Sequence, residues 1–296
     1  MKITALVSLA AAVLAFTDAS PINRRPHLSS VGHSVPLTRR ANYTHNTKAQ
    51  IAKLNKRYPG INILSASSGS VALTDVSPDT EYYGSVSVGT PAQVVKLDFD
   101  TTFMDNAIAA GVLAQPVVSV FLPSERLFNG LGGEYLFGAI DSTKYTGELT
   151  YVPVSQEGYW QIAIDGITAG GQDLGQSSQG IVDTGTTLII VSDDAASAIH
   201  GTISGSVNDP TNGWLVPCSL SSSTDTISFT MAGTAFNVAL ADLAFESLGD
   251  GSGNCVSGVQ GGQNDLWILG DVFIKNNYCV FSQTSSPSIG IAPLAV

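Results

Sequence analysis

Histidine is scarce where metal or triad chemistry would need it: only His200 lies beyond residue 45. That removes the basis for a His-Glu-x-x-His metal centre and most of the support for a Ser-His-Asp triad, and no Gly-x-Ser-x-Gly elbow occurs. Neither a P-loop nor a Gly-x-Gly-x-x-Gly fingerprint is present, so no metal and no cofactor are expected. Bases are scarce too. Charged residues make up only 12% of the chain, and past residue 60 four bases face 23 acids, a charge of −19 that repels nucleic acid. As pH falls those carboxylates neutralise and few positive charges remain, so acid does not expand the body by repulsion. The charge suits acidic surroundings, although an ordinary acidic exported protein shares it.

Long apolar runs are missing after the first twenty residues. Residues 3–16, ITALVSLAAAVLAF, follow Lys2, are too short to span a bilayer, and lead to small residues at Ala19 and Ser20. Residues 1–19 are therefore read as a signal peptide, and no membrane span or lipid anchor is expected, which makes the protein secreted and extracellular. Residues 1–60 hold nine bases and one acid, with pairs at Arg24-Arg25, Arg39-Arg40 and Lys56-Arg57 and the single sequon Asn42-Tyr43-Thr44. Residues 20–57 read as a basic pro-segment that docks on the acidic body at neutral pH and loosens in acid. The competing reading is a basic tail without inhibitory role.

Only three cysteines occur, enough for one bridge. Cys218 and Cys255 lie in turn-rich sequence, whereas Cys279 sits in the strand-like run NYCVF, so the first two are the expected pair. Cys279 is expected to be a buried thiol rather than a nucleophile.

What is abundant is apolar residue (44%) and glycine (30 residues), in short alternating runs separated by turns. EYYGSVSVGT, AQVVKLDFD, EYLFGAI, ELTYVPV, YWQIAIDGI, TISFTMA, LWILGDVFI and NYCVF read as strands. Helices are expected only over 103–113, 193–200 and 240–245. The fold class is all-β.

Carboxylate chemistry remains. VVKLDFDTT and QGIVDTGTTLI both end an apolar strand in Asp-Thr, at Asp100-Thr101 and Asp183-Thr184-Gly185. A strand end delivers the carboxylate, the threonine anchors the loop, and a glycine permits close backbone approach. Two such loops face to face bring two carboxylates to one water.

These segments resemble the pepsin-like aspartic proteases. EYYGSVSVGTPAQVVKLDFDT is similar to the family's strands before its first catalytic Asp, and YWQIAIDGI with QGIVDTGTTLI resembles the approach to the second. LWILGDVFI is similar to the late apolar-apolar-Gly strand beneath the second loop, and Cys218 and Cys255 fall where the family has its C-terminal-lobe disulfide. The resemblance implies an endopeptidase that acts on peptide or protein substrates at acidic pH, expected as a monomer. Its catalytic residues would be Asp100 and Asp183, supported by Thr101, Thr184 and Gly185.

The resemblance breaks after Thr101. Thr102 stands where the family has glycine, and TFMDNAI resembles a helix that comes much later in the first lobe. Between Asp100 and Gly147 lie 46 residues, while 113 follow Asp183, a difference of 67. The missing stretch is expected to carry the flap with its tyrosine, for which Tyr82-Tyr83-Gly84 cannot substitute. The implied organisation is a truncated N-terminal lobe, residues 58–144, and a complete C-terminal lobe, residues 145–296. The chain as written is expected to have little or no activity. The alternatives are a pseudoenzyme that binds peptide or protein, or a splice or gene-model fragment.

Overall fold

The computed structural model describes residues 33–39, 82–88, 93–97, 115–124, 133–156, 158–262 and 266–295, the first three stretches as backbone strands alone. The signal peptide, most of the pro-segment, Asp100-Thr101-Thr102 and the helix expected over 103–113 lie outside the described residues.

Among the described residues the architecture is β with a few short helical turns. One 13-stranded sheet runs through it. Its central strands, Asn277–Ser282 and Val117–Phe121, are buried at every position, because both faces are covered. They pair antiparallel, Cys279 opposite Val120 and Phe281 opposite Val118. Toward one edge follow Glu134–Phe137, His33–Arg39, Tyr82–Val88 and Gln93–Leu97. The strand His33–Arg39, inside the expected pro-segment, is thus an interior strand: His33 to Pro36 pair with Phe137 to Glu134, and Leu37 to Arg39 with Gly84 to Tyr82.

Toward the other edge lie Ser288–Pro293, Thr150–Gln156, Gln161–Ile164, Ser178–Val182, Leu266–Leu269, Ile189–Ser192 and Val259–Gly262. Two four-stranded sheets complete the C-terminal half. In one of them Thr226–Met231 alternates as its sequence requires, with Ile227, Phe229 and Met231 buried. The core falls into two clusters, a large one with Trp160 edge-on to Phe281 and Phe229 edge-on to Phe273, and a small one of Val117, Phe121, Tyr278, Val280 and Leu294.

The expected strands form, with two corrections. LWILGDVFI is a strand only over Leu266–Leu269; Asp271–Ile274 is a helical turn. The amides of Asp271 and Val272 donate to the carbonyls of Thr186 and Thr187 instead of to a neighbouring strand. The helix expected over 240–245 is a 3-10 turn, Leu240–Leu243, followed by the strand Ala244–Ser247, which pairs with Asn254–Ser257. Asp193–Gly201 is the expected helix, N-capped by the Ser192 hydroxyl, which accepts from the Ala195 amide. Cys218 is bonded to Cys255, and Cys279 is a buried thiol.

Candidate active site

The site is built around Asp183 at the end of the strand Ser178–Val182. That strand lies between two partners, antiparallel to Gln161–Ile164 and parallel to Leu266–Leu269. Gly180 leaves room there for Ile164, whose Cδ1 end would have to move if a Cβ were added. The strand Leu266–Leu269 also pairs antiparallel with Ile189 and Ile190, by which the chain leaves the Asp183 loop. It therefore separates the two arms of the loop, as the sequence led one to expect of a strand packed beneath it.

The loop is held at both ends of its backbone. The Asp183 amide donates to Leu269 O at 3.1 Å, and the amides of Asp271 and Val272 donate to Thr186 O and Thr187 O at 2.8 and 2.9 Å. Gly270 is what allows this approach. A Cβ there would overlap Thr186 O and lie 2.5 Å from Leu188 O, both main-chain atoms. Behind the turn, Lys275 lies 3.8 Å from Asp242, whose carboxylate also accepts from Asn276 Nδ2 at 2.9 Å and from Ser124 Oγ at 3.3 Å. This buried polar cluster anchors the far end of the helical turn.

The carboxylate of Asp183 is completely buried. One oxygen accepts the Gly185 amide at 3.0 Å and the other accepts the Thr186 hydroxyl at 2.5 Å. Buried carboxylates persist only with such donors, because an unpaired one costs several kcal/mol. Thr184 is buried beside it and Gly185 is partly exposed. Thr186 is the residue that sequence reasoning overlooked; its only signal was a second hydroxyl three positions after the aspartate. Asp100, Thr101 and Thr102 fall outside the described residues.

Two other buried groups, Cys279 and Tyr278, are held in their neutral forms. Burial pushes the Cys279 thiol far up, which keeps it protonated, and pushes the Tyr278 phenol up to about 12. Among the described residues no cluster of three His, Cys, Asp or Glu side chains has the arrangement of a metal site, and no helix there is long and apolar enough to cross a membrane.

A β fold that carries an Asp-Thr-Gly loop between crossed strands, with an apolar-apolar-Gly strand beneath it, defines an aspartic protease of pepsin-like architecture. Comparison with known sequences agrees. A family model described as eukaryotic aspartyl protease matches residues 101–294. Rhizopuspepsin-2 from Rhizopus niveus is 30% identical over 407 aligned positions, which take in 100% of both chains. Rhizopuspepsin from Rhizopus chinensis is 28% identical, again over 100% of both. Gastricsin from Mus musculus is 36% identical over 204 residues, 65% of this chain and half of its own. The chain belongs to the eukaryotic aspartyl protease family, whose members are aspartic endopeptidases and whose substrates are peptides. The alignment to Rhizopuspepsin-2 exceeds this chain's 296 residues by 111 positions, so a substantial part of that relative has no counterpart here.

Proposed function

We propose that this chain is the precursor of a secreted acid endopeptidase that keeps one whole half of its catalytic site and part of the other, and that its turnover is little or none. Asp183 and Asp100 are the catalytic pair. With both in place, the ionised aspartate takes a proton from the shared water, and the water oxygen adds to the peptide carbonyl carbon. The protonated partner hydrogen-bonds the carbonyl oxygen as it gains charge. Two carboxylates that close cannot easily both ionise, so the pair titrates as a unit, as the paired aspartates of pepsin do.

The observation that carries the reading is the Asp183 carboxylate, buried and fixed by two donors at the end of its strand. Such fixation is what positions a catalytic group to within a fraction of an ångström. Impairment is supported by the 111 aligned positions without counterpart and by Thr102 in place of glycine. A misplaced carboxylate costs orders of magnitude in rate. The precursor reading is supported by the strand His33–Arg39, which docks by main-chain pairing. The resemblance supports a monomer.

The test is to express the full chain, acidify it, and follow hydrolysis of a denatured protein between about pH 3 and pH 5, where a shared-proton dyad works. Little or no hydrolysis is expected. Turnover abolished by both Asp100→Asn and Asp183→Asn would overturn the impairment and leave the dyad standing.

A further inference from the structure

His200 is a buried imidazole that the protease site does not use. It lies in the last turn of the helix Asp193–Gly201, is 1% exposed, and stacks on the Trp214 indole with ring centres 4.3 Å apart and planes at 9°. Both nitrogens are engaged. Nδ1 is 2.7 Å from Ala196 O, which can only accept, so Nδ1 carries the hydrogen. Nε2 is then the acceptor, and the Ser257 hydroxyl, 2.8 Å away, donates to it while accepting the Val259 amide at 3.2 Å. This wiring suits a neutral ring. A second proton, on Nε2, would force the Ser257 hydrogen to turn away from its acceptor and would leave a cation in the interior.

No charged side chain contributes to the pKa shift of His200, which comes from burial and one carbonyl; Glu246, on the strand Ala244–Ser247, pairs with Val256 rather than with Ser257. The packed strands Ile189–Ser192, Gly213–Pro217 and Val259–Gly262 contain no ionisable residue, and Asn254–Ser257 contributes only Cys255, already bonded. Asp209, on the next strand, accepts the amides of Thr211 and Asn212 in its own turn. Asp193 and Asp194 sit in the first turn, at the opposite end of the helix. Burial accordingly lowers the His200 pKa from 6.5 to about 4, opposed in part by the Ala196 carbonyl.

Ser257 leads directly to the Asp183 loop. The next residue, Gly258, accepts the Ile189 amide at 2.9 Å, and Val259–Gly262 runs parallel to Ile189–Ser192, the strand by which the chain leaves that loop. We propose that the His200–Ser257 hydrogen bond is an acid-released latch on this strand pair, closed while the imidazole is neutral and opened by a single proton. The folded pKa is the lower one, so the latch contributes its full stability above pH 6.5 and loses it as pH falls through about 4. Over that window the unfolded chain binds one more proton than the folded chain, and the unfolding equilibrium constant rises about 300-fold. The latch sets a floor to the acid range, whether or not the chain hydrolyses peptide.

The experiment uses the full chain and needs no activity. Histidine ring signals are followed by NMR from pH 7 to pH 3, with His200 assigned through His200→Gln, while hydrogen exchange, corrected for intrinsic rates, is measured at the Ile189 and Val259 amides. The expected result is a His200 midpoint near 4 with faster exchange at both amides below it, and loss of that pH dependence in His200→Gln. A midpoint near 6.5, or identical exchange profiles for both proteins, overturns the latch. If the variant does not fold, the wild-type titration and the two wild-type amides still decide: protection unchanged through the midpoint also overturns it.

Discussion

Replacing Gly270 by alanine puts the packing beneath the Asp183 loop to a direct test. The added Cβ would meet two main-chain carbonyl oxygens, overlapping that of Thr186 and standing 2.5 Å from that of Leu188. An ordinary carbon–oxygen contact needs nearly an ångström more, and neither oxygen belongs to a side chain that can swing aside. Forced accommodation of this kind costs about 1–3 kcal/mol. The displaced strand also loses grip on the loop, since the amides of Asp271 and Val272 bond Thr186 and Thr187, at about 1 kcal/mol for each bond weakened. The sum is about 4 kcal/mol, which for a chain of this size lowers the melting temperature by roughly 10 °C. The control is Gly201→Ala. At that position nothing lies within 4 Å of the new atom, and the residue ends a helix, so alanine should be neutral or stabilise by up to about 1 kcal/mol. Thermal unfolding by circular dichroism compares the three proteins. A Gly270→Ala protein that melts within about 2 °C of wild type would refute the close approach, whatever Gly201→Ala does.

Thr186→Val should cost about 2 kcal/mol by leaving the buried Asp183 carboxylate one donor short, and Thr186→Ser, which keeps the hydroxyl, should restore most of it. The urea midpoints report both; equal midpoints for valine and serine would contradict the bond. Removing the Cys218–Cys255 bridge, which closes 37 residues of separation, should cost about 4 kcal/mol on the chain-entropy account. In the native, unreduced protein Cys279 should resist alkylation, and it should be the single reactive thiol after unfolding in denaturant without reductant. Two or three labelled cysteines would count against that pairing.

The sequence made the half-buried strands legible because alternation is a local signal: Ile227, Phe229 and Met231 announce one buried face. It also exposed the chemistry of Asp183, since Asp-Thr-Gly after an apolar strand is short and contiguous. What it hid is non-local. Val117–Phe121 is covered on both faces and shows no alternation. In the run LWILGDVFI the break at Gly270 depends on carbonyls more than eighty residues earlier in the chain. The donor on Thr186 emerges only when the loop is folded back on itself. Charge marked residues 20–57 as a unit apart, yet gave no hint that His33–Arg39 would pair on both sides inside the sheet.

The order of strands beneath Asp183 also constrains how the protein is made. Gly180 pairs with Trp267, and Val182 with Leu269, across 87 residues of chain. Parallel pairing at such separation must close a large loop before any contact offsets the lost entropy, which makes it a slow event in folding. During synthesis the strand that carries Asp183 emerges long before the strand that will separate it from Ile189–Ser192. Until residue 269 is available, two apolar strands wait with an unpaired edge between them, the kind of exposed surface that aggregates. The aspartate is encoded about three-fifths of the way along the chain, but its loop is assembled only near the end of synthesis. A ribosome that stops short of Leu266 releases a chain that has the residue and lacks the site.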